Sequence, residues 1–144
     1  MIIRQGMVTD IFELSRLWLQ MVKELCPQFA PNVSWWRELA QKCFQGGNYF
    51  VLVAEIDNKI IGFIDWFMYP EPSTGKIHAV GQHFFVIPEE RKKSISGTLY
   101  KKMMNISKKQ GAQITELFCF DKEINFWKNH KFNPIRSMLR REGA

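Results

Sequence analysis

Three consecutive cations, Arg91-Lys92-Lys93, run directly into Ser94-Ile95-Ser96-Gly97. They follow an apolar segment that ends at Val86-Ile87-Pro88. They precede Ile95, Leu99, Met103 and Ile106, which share the spacing of one helix face. A strand that feeds a helix N-terminus through a small-residue, cationic turn is suited to hold phosphate. The first backbone N–H groups of the helix lack internal partners, and the helix dipole presents its positive end there. Cations at that end normally oppose the dipole, so their placement implies an expected anion. The remaining basic clusters, Lys101-Lys102, Lys108-Lys109 and Arg140-Arg141, read most simply as solvated helix and terminus faces.

Positioning this turn requires a strand before it and a helix after it, and the chain supplies both in a regular order. A short strand near Ile2–Arg4 leads to Asp10 and Glu13, spaced as a capping box, and then to Ile11, Leu14, Leu17, Trp18, Met21, Val22 and Leu25 at helical spacing. That helix must stop before Pro27. Ser34 is a candidate cap for a second helix carrying Trp36, Leu39, Ala40, Cys43 and Phe44, closed by Gly46-Gly47. Trp35 and Trp36 are adjacent on it and cannot both face inward.

The period then changes to that of strands: 49–56 and 60–67, joined by a tight Asp57-Asn58-Lys59 hairpin, and 77–86 after the polar loop 70–76. A helix closed by Gly111, a strand over 114–120, a short helix near 122–129 and a last strand at about Ile135–Arg140 complete the chain. The order β-α-α-β-β-β-α-β-α-β predicts one α/β domain over residues 1–144, a mixed sheet with helices on both faces.

Composition narrows the setting. The chain has 144 residues, a net charge of +6 and no apolar run long enough to span a membrane. Met1-Ile2-Ile3-Arg4-Gln5-Gly6 lacks the apolar core of a signal peptide. Cys26, Cys43 and Cys119 are too few and too far apart for a disulfide framework or a zinc site. Free thiols, no metal and a cytoplasmic location are expected. The positive charge suits a polyanion, but no helix-turn-helix, zinc-finger or RNA-recognition motif accompanies it, so a nucleic-acid partner rests on charge alone.

In order and at matching separations, four segments resemble the GNAT-type N-acetyltransferases, and the resemblance spans nearly the whole chain. Ile3-Arg4 with Asp10 is similar to the family's opening strand and cap, and Ile60-Ile61-Gly62-Phe63 to its strand after a hairpin. Val86-Ile87-Pro88-Glu89-Glu90-Arg91 resembles the strand end before its R-x-x-G-x-G motif. Phe126-Trp127-Lys128-Asn129-His130-Lys131-Phe132 resembles its closing aromatic segment. The resemblance implies acetyl-CoA as acyl donor and an amine of a small molecule or a protein as acceptor, with no membrane partner and with homodimers common. Coenzyme A would lay its pyrophosphate on the N–H groups of residues 92–97, beside Arg91, Lys92 and Lys93. Its pantetheine arm would pair with the backbone of Phe84, Phe85 and Val86.

The chain also departs from the family pattern. Ser94 and Ser96 stand where the motif has glycines, and the loop's one glycine is Gly97. Trp127 stands where the family commonly has a tyrosine that protonates the leaving thiolate, and an indole has no such proton to give. Phe126 and Trp127 read first as core aromatics. The positions nine and eleven ahead of Arg91, where the family often places a base, are Gln82 and Val80. His83 is therefore the candidate base, although it faces the other side of a regular strand unless a bulge re-aims it. His78 and His130 have weaker claims. Asp65 and Glu71 read as solvated charges before amine ligands. Three readings follow: an acyl-CoA-dependent N-acetyltransferase, a GNAT-fold binding or regulatory module without turnover, and a nucleic-acid binder.

Overall fold

A computed structural model describes residues 1–135, Lys92 by its backbone alone. The strands are β1 (Ile2–Gln5), β2 (Tyr49–Ile56), β3 (Lys59–Pro70), β4 (Ile77–Val86) and β5 (Ile114–Leu117). The α-helices are α1 (Ile11–Leu25), α2 (Val33–Gln45), α3 (Ile95–Lys109) and α4 (Ile124–Asn129). The element order is the expected one as far as α4; the expected last strand lies outside the described residues from position 136 onward.

The five strands form one sheet in the order β1-β2-β3-β4-β5. Neighbours are antiparallel except β4 and β5, which run parallel. Alternation along each strand divides the side chains between two cores. Val51, Val53, Phe63 and Phe85 pack under Ile11, Leu14, Leu17 and Met21 of α1 and Trp36 and Ala40 of α2. Leu52, Ala54, Ile64, Trp66 and Val86 pack under Ile95, Leu99 and Met103 of α3. Burial on both faces explains why β2 and β3 read as nearly continuous apolar runs.

Several local expectations hold. The β2–β3 hairpin turns on Asp57 and Asn58, both at positive φ (50° and 60°), the backbone that a two-residue hairpin favours. Trp36 turns inward and stacks on Trp18 at 5.4 Å, while Trp35 is exposed.

Two caps differ. Asp10 does not cap α1 with its side chain, because its carboxylate is taken by Arg4, at 2.8 and 3.0 Å, and by the Met7 N–H at 2.8 Å. Asn32, one residue before the helix, caps α2 in place of Ser34 by accepting from the Trp35 N–H at 3.0 Å.

Two irregularities along β4 shape everything downstream. Asp65 of β3 pairs with His83, but its neighbour Trp66 pairs with Gly81, so Gln82 is an extra residue and β4 bulges there. The parallel pairing of β4 with β5 ends at Gly81 and Leu117, although β4 continues to Val86. β5 itself is shorter than the expected 114–120. Residues 82–86 therefore present an outer strand edge with no strand partner among the described residues.

Gly62 lets β3 and β4 approach. A Cβ there would lie 2.9 Å from Val86 Cγ2 and 3.0 Å from the Phe85 carbonyl oxygen. Gly62→Ala is expected to lower the unfolding free energy by about 1–3 kcal/mol, the range for overpacking, read as a lower urea midpoint at unchanged slope. An unchanged midpoint would mean that this close approach is not needed.

Candidate functional site

Beside the open edge of β4 lies a cleft of about 270 Å³. Phe84, Phe85 and Val86 of β4, Ser96 of α3, Glu24 and Leu25 of α1, Arg91, Lys122, Glu123 and Phe126 line it. The Ile87 N–H donates to the Ile61 carbonyl at 2.9 Å, toward β3. Strand alternation then turns the peptide groups of Phe84 and Val86 the other way, toward the cleft. The expected wall residues are thus together, and their backbone is aimed at the opening.

The basic turn is more neutralised than its sequence implies. Arg91 donates Nη1 and Nη2 to the two carboxylate oxygens of Glu24 at 2.6 and 2.8 Å, and Nε to the Val86 carbonyl at 2.8 Å. Its guanidinium also lies over the Phe85 ring at 5.3 Å. Arg91 is a strut between the last turn of α1 and the end of β4. Lys93 pairs with Glu90 at 2.7 Å. Glu123, on the same cleft, is pushed above the usual carboxylate range by burial, against the lowering effect of the Phe120 N–H and the Arg91 charge.

The turn into α3 has the geometry that favours glycine. Ser94 has φ 58° and ψ 16°, the left-handed region, and makes no side-chain cap bond. Its carbonyl accepts from the Thr98 N–H at 3.1 Å and the Thr98 hydroxyl at 2.9 Å. Ile95, Ser96 and Gly97 form the first turn of α3, so their N–H groups lack intrahelical acceptors and point from the helix start. A Cβ on Gly97 would meet nothing within 4 Å, so the approach to this turn is open.

A second cluster sits on the α1/α2 face of the sheet, where β4 bulges. With Gln82 inserted, His83 falls on the same face as Phe85 and meets Asp65. Its Nδ1 is 3.1 and 3.0 Å from the two Asp65 oxygens, and its backbone N–H donates to Oδ1 at 2.7 Å. The Tyr49 hydroxyl donates to Asp65 Oδ2 at 2.5 Å. The Asp65 side chain is 1% exposed and that of His83 30%. Burial acts to lower the His83 pKa, but the charge and hydrogen bond of Asp65 outweigh it and raise it above the ordinary imidazole value. Tyr49 is pushed far up by burial, reinforced by the Asp65 charge.

Asp65 is therefore buried and bonded, not solvated as its sequence context implied. One carboxylate inside the apolar run 60–67 was the available signal. Nothing in the sequence pointed to Tyr49. Glu71 caps its own loop instead, held at about 2 by hydrogen bonds from the backbone of Ser73 and the hydroxyl of Thr74.

Trp127 is 3% exposed and packs against Phe84, Tyr100 and Phe126, with ring centroids at 5.2, 5.6 and 4.9 Å. It is a core residue, whereas Phe126 lines the cleft. His78 is buried with Nδ1 3.7 Å from Glu116. His130 Nδ1 lies 2.9 Å from the Phe126 carbonyl at the end of α4.

The family model "Acetyltransferase (GNAT) family" matches residues 10–132. No curated protein matches the sequence. Among solved structures, a possible acetyltransferase from Clostridium difficile 630 is 14% identical, covering 99% of this chain and 97% of its own, with a TM-score of 0.81. An aminoglycoside N-acetyltransferase in complex with CoA is 17% identical over 99% and 95%, with a TM-score of 0.77. A ribosomal-protein-alanine N-acetyltransferase from Brucella melitensis biovar Abortus 2308 is 18% identical over 99% and 100%, with a TM-score of 0.74. At these identities the likeness is one of fold.

Ser94→Gly is expected to stabilise the protein by up to about 1 kcal/mol. Relief of left-handed strain, roughly 1–2 kcal/mol, exceeds the chain-entropy cost of glycine, roughly 0.5–1 kcal/mol. Ser96→Gly, inside the first helical turn, is expected to cost about 0.5 kcal/mol. Urea unfolding of the two variants checks the contrast, and a loss at Ser94→Gly would contradict the left-handed turn.

Proposed function

Because the chain belongs to the GNAT acetyltransferase family, we propose that it transfers an acetyl group from acetyl-CoA to an amine of a small molecule or a protein. The observation that carries this reading is the parting of β4 from β5 beyond Gly81, with a lined cleft on the exposed edge and an imidazole at the parting point.

The residues fit such a donor. The outward N–H and C=O of Phe84 and the outward N–H of Val86 offer a partial strand edge to an amide-bearing arm, the Val86 carbonyl being taken by Arg91. The first turn of α3, Ile95-Ser96-Gly97, offers N–H groups and the positive dipole end to a pyrophosphate, with the backbone of Lys92, Lys93 and Ser94 leading into it. Arg91 can add its charge only by exchanging Glu24 for phosphate. Acetyl-CoA supplies an activated thioester carbonyl. When the acceptor nitrogen forms its bond to that carbon and the bond to sulfur breaks, the nitrogen must lose a proton. Neutral His83 takes it, and coenzyme A departs as its thiolate. Because Asp65 raises the His83 pKa, the base form grows in as pH rises through the raised value, and activity rises with it.

Two of the three named neighbours span the acceptor classes of small molecules and proteins: an aminoglycoside enzyme and a ribosomal-protein-alanine enzyme. Three free thiols suit a cytoplasmic setting. Among the described residues no helix is long and apolar enough to cross a membrane, and none group as a metal site. A binding module without turnover is the second reading. It is favoured by the buried Trp127, which supplies no acid, and by the Glu24 carboxylate already seated on Arg91.

Acetyl-CoA at a hundred times its dissociation constant is expected to stabilise the protein by about 2.7 kcal/mol, a shift of several degrees in Tm. Thiol release with a panel of primary amines then separates the two readings. A Tm shift without thiol release favours the binding module, and no shift at moderate salt overturns the acetyltransferase reading.

A further inference from the structure

We propose that Asp65 and Tyr49 are positioning residues for His83: Asp65 holds the imidazole by Nδ1, leaving Nε2 as the nitrogen that takes the proton, and Tyr49 fixes the Asp65 carboxylate. The inference rests on His83 being the base of the proposed transfer.

The geometry leaves one tautomer. An ionised carboxylate only accepts hydrogen bonds, and both Asp65 oxygens lie within 3.1 Å of His83 Nδ1. Nδ1 therefore carries the hydrogen, and in the neutral ring Nε2 holds the lone pair. The carboxylate is itself over-determined. The His83 N–H binds Oδ1 from the backbone of β4, and the Tyr49 hydroxyl binds Oδ2 from β2, the strand on the other side of β3.

Tyr49 is held in turn between Phe44 and Phe67, at 5.4 and 4.9 Å between ring centroids. Its hydroxyl therefore has little freedom to leave Asp65. Three strands contribute one group each, and the bulge at Gln82 is what brings the third into line. The inner edge of the ring is bound and buried, while the side chain as a whole is 30% exposed. That arrangement orients a base and keeps it accessible.

A purely structural trio would also be satisfied, so the test must read tautomer and titration. Among the described residues, the titratable groups acting on this cluster are Asp65 on β3, Tyr49 on β2 and, through Tyr49, Cys43 on α2. Asp65→Asn removes the charge that favours imidazolium, so the His83 titration falls by about one pH unit or more. Tyr49→Phe removes a donor and leaves more of the carboxylate's charge to the imidazolium, so the titration rises. Opposite shifts from two neighbours of one carboxylate are the signature of the proposed wiring.

The experiment is a nitrogen-15 NMR titration of the histidines in the full, ligand-free chain, with His83→Gln to assign the signal, alongside the pH profile of kcat/KM for acetyl transfer. The expected result is a neutral ring protonated at Nδ1. Its titration should move down in Asp65→Asn and up in Tyr49→Phe, with the alkaline-rising limb of kcat/KM following. KM for acetyl-CoA should stay unchanged, because neither residue lines the cleft, while kcat falls at least about tenfold in Asp65→Asn. A neutral ring protonated at Nε2, or a titration that ignores both variants, overturns the proposal. Tyr49→Phe keeps the test valid where Asp65→Asn fails to fold. If the titration moves as expected but the rate profile does not follow, the base reading of His83 is what fails, and the free protein's spectra tell the two failures apart.

Discussion

A strand edge inside a protein must find partners for its N–H and C=O groups, and here the middle strand of the site loses its partner halfway along. β4 pairs with β5 only as far as Gly81 and Leu117, then runs on alone to Val86. Unpaired edges are a liability that proteins usually cover or blunt. This one is flanked instead by a helix N-terminus and a cleft lined by both apolar and charged side chains. The parting requires its own supports. Gly81 has no side chain where a Cβ would sit 2.6 Å from Leu117 Cδ2, so β5 can close up to the last paired residue. The bulge at Gln82 follows at once, bending β4 where it becomes free.

Around that parting, charges are arranged in two different ways. On the cleft side, cations are exposed or part-exposed and carry counterions from the chain itself: Glu24 for Arg91 and Glu90 for Lys93. Such pairs are worth little in solvent and can be exchanged for a better anion. On the α1/α2 side the order is reversed. Asp65 is buried, and a buried carboxylate without partners would be strongly destabilising, so it is surrounded by donors from two other strands. The exchangeable pairs suit a ligand that comes and goes, and the locked carboxylate suits a group that must hold one orientation.

Much of this was legible from residue order. The strand–turn–helix at 77–109 and the two-residue hairpin at Asp57-Asn58 were readable because their signals are local: periodicity, a turn that tolerates positive φ, a proline that ends a strand. The caps were less so. Asp10 and Ser34 are good caps by type, yet Arg4, six positions earlier on β1, claimed one carboxylate, and Asn32 captured the helix start before Ser34 could. Asp65 reads as solvated in the sequence yet is buried, since a carboxylate's solvation is set by what other strands place against it. Ser94 was readable as a departure from glycine, and the structure adds that the position does require φ of 58°.

Sequence alone determined the element order, the two-sided core of β2 and β3, and the cationic entry to α3, because each depends on residues within a few positions of one another. Tertiary structure decided the face on which His83 stands. A single inserted residue in β4 reverses the alternation of every side chain after it, and pattern alone does not reveal where a ladder slips by one. It likewise decided that Arg91 is a strut and that Phe126, read as core, lines the cleft. A guanidinium binds whichever carboxylate the fold brings within reach, and the fold brought Glu24 from 67 positions away.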